Sequence, residues 1–464
     1  MQEQFMAFLN RKGHGNDRSA EEGESAAAVN IICAYNVNLD AVCNVRAEDL
    51  SSLLPPELLS EDIRRKGSIA RMEDLLSSLL YCMREGSGAE ILLDSPELAR
   101  QIEESISWSS RLGGNAAIMA NLLADLGARP LLNDPAIGPR LADMLHPGVQ
   151  LPLEGALAGR ENVAQTRRGC GQEPVHFVFQ FKRGEEILFG RERFIVPQDN
   201  RFIASYDPIN TRLQSSRNFD RYCLENISDF RGALITGFHL LPLPGYREVL
   251  REKMDQLISW KEGNADLFIH LELGSFQSPE ILSFLLDLIP RLPIDSLGMN
   301  EDELAGAAEI LGQSSVMNPP GSWQERIFAA RRLQDKTGIF RVAVHTRDYI
   351  LSIIKEGIIS AQDEISALNS GVDAAASLAA FGWPKAGPPS QFNEKGLEAA
   401  ADLCRLGAAS LGRGAMLCSG GRIVSLAPAR QVSHPQITVG LGDTATASIF
   451  LREVEAIKRN ADEN

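Results

Sequence analysis

A chain of 464 residues, 44% hydrophobic and 23% charged, can bury a large core, either as several average domains or as one large α/β domain with a smaller insertion. Its 61 acidic and 46 basic side chains give a formal net charge of -15 with no basic stripe, which argues against nucleic acid as a partner. No run of about 18 apolar residues and no apolar signal core occur, and seven scattered cysteines form no Cys-x-x-Cys pair, so a soluble protein of the reducing cytoplasm is expected, without zinc or disulfides.

Residues 1–28, with Arg11-Lys12-Gly13-His14-Gly15 and Glu21-Glu22-Gly23-Glu24, are polar and glycine-rich and read as a loose arm. From Val29 onward, short unbroken apolar runs at 30–34, 233–236, 267–271, 296–299, 342–345 and 423–426 alternate with helix-period stretches. Such runs suit strands buried on both faces of a largely parallel sheet covered by helices.

After the first run, the stretch 41–110 reads as largely helical. Leu112-Gly113-Gly114-Asn115 follows, with Ala116, Met119, Leu123 and Leu126 at helical spacing and Gly127 at the end, a glycine-gated helix start. Between 175 and 203 the rhythm breaks. His176-Phe177-Val178-Phe179-Gln180-Phe181, Glu186-Ile187-Leu188-Phe189 and Arg193-Phe194-Ile195-Val196 read as a meander of half-exposed strands, with Lys182-Arg183-Gly184 as a hairpin turn. A sheet of this kind suits a lid that keeps water away from a reaction.

Two later strands end in acids. His270-Leu271-Glu272 puts His270 and Glu272 on one strand face, at the carboxyl end where open α/β sheets bind ligands. The next strand ends in Asn300-Glu301-Asp302-Glu303, which opens a helix. Each run alone has an ordinary reading, as an ion-paired strand end or as carboxylates in a first helical turn. Together, hard oxygen donors at neighbouring strand ends suit Mg2+.

Near the end, Gly440-Leu441-Gly442-Asp443 precedes a helix-period run over 444–459 marked by Phe450, Val454 and Ile457. Alone it is also a good turn and helix N-cap. Read as chemistry, the amides of Leu441, Gly442 and Asp443 stabilise a transferred phosphoryl group, and Asp443, kept anionic by the helix dipole, is the general base. A P-loop and a Rossmann dinucleotide turn are both absent. An apolar slot for adenine is expected near His345-Thr346 and within 426–437, with Val432 and Pro435 as walls, beside their plain reading as core.

The segment Asn36-Val37-Asn38-Leu39-Asp40, the Gly-Gly-Asn turn and the late Gly-x-Gly-Asp resemble, in this order, sugar kinases of the ribokinase superfamily. With His-x-Glu and Asn-x-x-Glu added, the chain from about Asn30 to its last helix resembles the ADP-dependent phosphofructokinase/glucokinase family, largely archaeal. That resemblance implies an α/β, ribokinase-like fold: a large, mostly parallel sheet flanked by helices (29–40, 111–165 and 213–464) and a smaller α/β lid domain (41–110 and 166–212). It implies ADP as donor and AMP as product, with Mg2+ organised by Glu272 and Glu303 and supported by His270 and Asn300.

Sugar hydroxyls then fall to Asn38, Asp40, Gly114 and Asn115, the nucleotide to His345, Thr346, Val432 and Gly440, and a phosphate to Arg201, which matches a run at the family's lid edge. Glu90 resembles the lid glutamate of the glucokinase members, whereas Lys182, Arg183, Arg191 and Arg193 suit the 6-phosphate of fructose 6-phosphate. The expected activity is ADP-dependent formation of fructose 1,6-bisphosphate in glycolysis, with glucokinase or dual specificity as the alternative. An ATP-dependent kinase of the same superfamily is the nearest rival and a non-catalytic nucleotide-binding regulator a more distant one. The expected partners are ADP, AMP and a sugar or sugar phosphate, without nucleic acid or membrane, in a monomer or small homo-oligomer.

Overall fold

The computed structural model describes residues 28–59, 63–133, 135–154, 156–166, 173–276, 278–312 and 321–462. Its unbroken apolar runs become strands of a ten-stranded sheet, ordered Ala409–Leu411, Gly414–Ser419, Arg422–Pro428, Tyr349–Lys355, Arg341–His345, Ser296–Asn300, Phe268–Glu272, Gly232–Ile235, Asn30–Ala34 and Arg129–Leu132. Successive side chains serve two cores. Ile31 and Cys33 share one with Met119 and Phe450, while Ile32 and Ala34 share the other with Leu257 and Leu285.

From Arg129–Leu132 to Arg341–His345 every pairing is parallel, so the carboxyl ends of these strands share one edge. The other half is antiparallel, which narrows the expectation of a mostly parallel sheet. The physical reason is the short connection at 346–348, since a parallel neighbour needs a crossover of a dozen or more residues.

A second sheet of five strands, ordered Ala89–Leu92, Asn200–Tyr206, Val175–Phe181, Asn38–Asn44 and Ser109–Gly113, corresponds to the sheet expected as a lid and is called the lid sheet below. Leu39, Ala41, Phe177, Phe179, Phe181 and Phe202 pack on Leu75, Leu79 and Met83 of the helix Met72–Glu85. The alternate positions form the face toward the large sheet.

Three details differ from the sequence reading. The chain enters the lid sheet at Asn38 rather than at 41, because Asn38–Asn44 pairs with Val175–Phe181 and Ser109–Gly113. The stretch read as helical also supplies the strands Ala89–Leu92 and Ser109–Gly113, too short to show a period. Glu186–Phe189 pairs with Glu192–Ile195 in a separate hairpin, while Val175–Phe181 pairs with Asn200–Tyr206, so Lys182-Arg183-Gly184 links two sheets and is not a hairpin turn. Residues 1–27 of the expected arm lie outside the described residues. No helix among the described residues is long and apolar enough to cross a membrane.

Candidate active site

Two cavities open beside the carboxyl edge of the parallel strands. One, of about 340 Å³, lies between that edge and the lid sheet; the other, of about 570 Å³, lies beyond it toward the antiparallel half. The start of the helix Leu441–Asp462 divides them. Gly440 and Asp443 line the lid-side cavity, while Leu441 and Gly442 line the larger one. First-turn amides have no partner within a helix, so those of Leu441, Gly442 and Asp443 are donors available at this partition.

Asp443 is oriented by an amide relay. Asn36 Nδ2 donates to Asn115 Oδ1 at 3.1 Å, which leaves Asn115 Nδ2 to donate to Asp443 Oδ1 at 2.6 Å. Burial pushes the Asp443 carboxyl up to about 6, against the lowering effect of the Asn115 hydrogen bond. A carboxylate of that pKa is ionised at neutral pH yet basic enough to take a hydroxyl proton in flight. Asn115, read from sequence as a sugar ligand, therefore also orients the Asp443 carboxylate.

The lid face follows from strand register. Arg111, Asp40 and His176 occupy one row across three strands, and Gln180 and Arg201 pair in another; all five line the lid-side cavity with Glu90, Asn38, Gly114 and Asn36. Asn38 donates to Asp40 at 2.7 Å and Ser205 to Glu90 at 2.6 Å. Burial pushes the Asp40 carboxyl upward, opposed by His176 and Asn38. His176 lies 2.9 Å from Asp207; burial disfavours its charged form, but that hydrogen bond and the nearby carboxylates raise it to about 9, an imidazolium at neutral pH.

Lys182 is a correction. Period two would put it beside Gln180 on the cavity face, but the strand ends at Phe181 and the chain turns away, leaving Lys182 exposed and outside the cavity. Arg183, Arg191 and Arg193 are likewise outside, and Arg193 is paired with Glu186 at 2.9 Å. The cavity's arginines are instead Arg201, which sequence reading named, and Arg111, which it missed together with Asn36, His176 and His239. His176 was legible as one of two polar members, with Gln180, of an otherwise apolar strand.

The strand-end acids are not equivalent. His270, Ser296 and Arg341 form one row across three neighbouring strands, and Glu272, Gly298 and Ala343 form the next. Gly298 makes room: a Cβ there would sit 2.1 Å from Glu272 Oε2. Across this gap Glu272 Oε1 reaches His345 Nε2 at 2.8 Å, while Oε2 contacts His270 Nε2 at 3.0 Å and accepts from Thr446 Oγ1 at 3.2 Å. Burial alone would raise the Glu272 carboxyl, but hydrogen bonds from His270 and His345 outweigh it and hold it at about 2. His345 is driven up to about 9 by Glu272 in spite of burial.

Asn300 and Glu303 form a capping box: Asn300 Oδ1 accepts from the amides of Asp302 and Glu303, and the Glu303 carboxylate accepts from Asn300. Both line the lid-side cavity. Burial, then the charge of Glu272, pushes Glu303 up to about 7. Of the magnesium-organising pair expected from the resemblance, Glu303 lines the cavity, as does its supporting Asn300, whereas Glu272 and its supporting His270 are buried and do not line it. No cluster of three or more metal-ligating side chains occurs among the described residues. The donor set nevertheless fits a divalent cation held by one cavity carboxylate, water and phosphate oxygens, the pattern usual for magnesium at phosphates.

The larger cavity is lined by His345, Thr346, Val432 and Pro435, as the adenine slot required, and also by Val372, Ala376 and Ala379 of the helix Ala361–Phe381. Thr346 forms wall only, because its hydroxyl closes a turn onto Tyr349. Gly440, expected at the nucleotide, is on the lid side of the partition, and of this turn Leu441 and Gly442 line the larger cavity.

Comparison with known proteins agrees with this arrangement. The ADP-specific phosphofructokinase of Pyrococcus abyssi is 27% identical, over 93% of this chain and 99% of its own. The ADP-dependent glucose/glucosamine kinase of the same organism is also 27% identical, over 91% and 94% respectively. A crystal structure described as a hypothetical ADP-dependent phosphofructokinase from Pyrococcus horikoshii superposes with a TM-score of 0.77 at 25% identity, covering 93% of this chain and 99% of that one. The family model for the ADP-specific phosphofructokinase/glucokinase conserved region matches residues 29–452, which span both sheets and both cavities, and the chain belongs to that family.

Proposed function

We propose that this protein transfers the β-phosphoryl group of ADP to fructose 6-phosphate, forming fructose 1,6-bisphosphate and AMP. The observation that carries the reading is the helix start between two cavities, with the base on one side and open amides on the other. Nucleotide in the larger cavity presents its terminal phosphate to the amides of Leu441, Gly442 and Asp443, and sugar under the lid presents a hydroxyl to Asp443. Asp443 accepts the hydroxyl proton as oxygen attacks phosphorus in line, and the amides and the His345 imidazolium stabilise the developing charge. Lid closure excludes water as a competing acceptor.

Glu303 would hold Mg2+ through its cavity-facing carboxylate, with Asn300 orienting it and Glu272 acting from behind through His345. The cation, when bound, supplies charge neutralisation at the phosphates. Arg111 and Arg201, neither ion-paired with a described residue, serve the 6-phosphate in place of Lys182.

A second reading, glucose as acceptor, is favoured by Glu90 and Asp40 in the cavity and by the absence of Lys182 from it. Carboxylates accept from hydroxyls and repel phosphate. AMP formation from Mg·ADP with fructose 6-phosphate, glucose or neither, repeated with Mg·ATP, tests the proposal. Fructose 6-phosphate turnover with ADP supports it, a strong glucose preference replaces it with the second reading, and activity restricted to ATP overturns both.

A further inference from the structure

Behind Glu272, on the side away from both cavities, lies a buried cation that the mechanism above does not use. Arg341 is 1% exposed and faces Glu364 on one helix and Glu453 on another, with its Nε 3.0 Å from Glu364 Oε1 and 2.5 Å from Glu453 Oε1. Glu453 belongs to the helix that carries Asp443. Arg341 Nη1 donates to Ser296 Oγ at 3.2 Å, and Ser296 Oγ is 2.8 Å from His270 Nδ1.

Direction follows from the donor inventory. A guanidinium only donates, so Arg341 occupies one lone pair of Ser296 Oγ; the hydroxyl keeps a hydrogen to give and a second lone pair, and the partner at the far side of the His270 ring decides which of the two faces Nδ1. An imidazole nitrogen that accepts leaves the other ring nitrogen as the N–H, and His270 Nε2 is 3.0 Å from Glu272 Oε2, a carboxylate that only accepts. The reverse arrangement, with Nδ1 protonated in a neutral ring, would set a bare Nε2 lone pair against a carboxylate oxygen.

We infer that Arg341 and Ser296 are positioning residues: Arg341 holds Ser296 Oγ, whose hydroxyl hydrogen goes to His270 Nδ1, and this contact holds the His270 ring as the Nε2–H donor that aims Glu272 at His345. This chain of contacts needs the row His270, Ser296 and Arg341 across three strands and the gap at Gly298. Its effect on catalysis rests on the phosphoryl-transfer reading, because His345 lines the larger cavity beside Gly442.

Arg341 itself is a poor test, since removing a buried cation between two acids can prevent folding. Ser296→Ala breaks the same chain and retains the ion cluster. The imidazole nitrogen-15 shifts of His270 report the tautomer in the resting protein, independently of whether ADP-dependent turnover is found. The expected result is an Nε2–H ring in the parent, an Nδ1 resonance displaced in Ser296→Ala by loss of its hydrogen bond, and a fall in kcat of about 10- to 100-fold, the usual range for removing a partner behind a site ligand. An Nδ1–H ring in the parent overturns the inference, as does a Ser296→Ala protein that keeps either the parent Nδ1 shift or the parent kcat.

Discussion

The lid sheet and the large sheet both present polar rows to the cleft, yet they are finished to different degrees. On the large sheet, Glu272 makes three side-chain hydrogen bonds, to His345, His270 and Thr446, before any ligand arrives. On the lid, Asp40 and Glu90 each receive one described side-chain hydrogen bond, from Asn38 and Ser205. An anion already held by fixed donors needs little rearrangement during reaction, which suits charge stabilisation in a transition state. Carboxylates with acceptor capacity left over suit a sugar whose hydroxyls complete the set. The large sheet is therefore the side where substitutions should act on kcat, and the lid the side where they should act on KM for sugar.

The largest effect is expected at the partition. Asp443→Asn keeps size and the contact region with Asn115 but removes the base, so kcat should fall about 10²- to 10⁴-fold with AMP binding retained. In the parent, kcat/KM should decline tenfold per pH unit below about 6 and level off above it, because Asp443 must be ionised to accept a proton and burial has raised its pKa to about 6. A profile that stays flat down to pH 5 would remove Asp443 from the role of base.

Two glycines make the comparison sharper, because each is the gap into which an acid fits. A Cβ at Gly298 would sit 2.1 Å from Glu272 Oε2, and one at Gly113 would sit 2.3 Å from Asp40 Oδ1. Gly298→Ala should lower kcat about 10- to 100-fold, by pushing Glu272 off His345, with sugar KM little changed. Gly113→Ala should raise sugar KM about tenfold, near 1.4 kcal/mol, with a smaller change in kcat. Steady-state kinetics on the pair settles the matter: equal patterns in the two variants would mean that the two sheets do not divide the work.

Those glycines also mark where the sequence stopped being legible. The buried strands were readable because Ile31-Ile32-Cys33-Ala34 is apolar at every position and its counterparts are mostly apolar without alternation, a pattern that suits a sheet covered on both faces. Asp443 was readable because its turn and helix are contiguous. The path from Arg341 to His345 was not, since it depends on which strands become neighbours and on a missing side chain at Gly298, and neither is local in sequence. Arg111 was hidden for the same reason: it meets Asp40 only through the register between Asn38–Asn44 and Ser109–Gly113.

Lys182 provides the smallest expected effect and a direct check on that lesson. Sequence alternation places it on the cavity face, but alternation holds only while a strand lasts, and this one ends at Phe181. Beyond that point Lys182 and Arg183 are exposed, and Arg193 is occupied by Glu186. Exposed charges of this kind contribute little on their own, so Lys182→Ala should change stability by less than about 0.5 kcal/mol and KM for either sugar by less than about twofold. Arg201→Ala, made alongside, should raise the KM for fructose 6-phosphate well beyond that of Lys182→Ala, because Arg201 does line the cavity. If the order of the two effects were reversed, the link Lys182-Arg183-Gly184 would have to move over the sugar, and the cavity face of the lid sheet would no longer be the surface that selects the substrate.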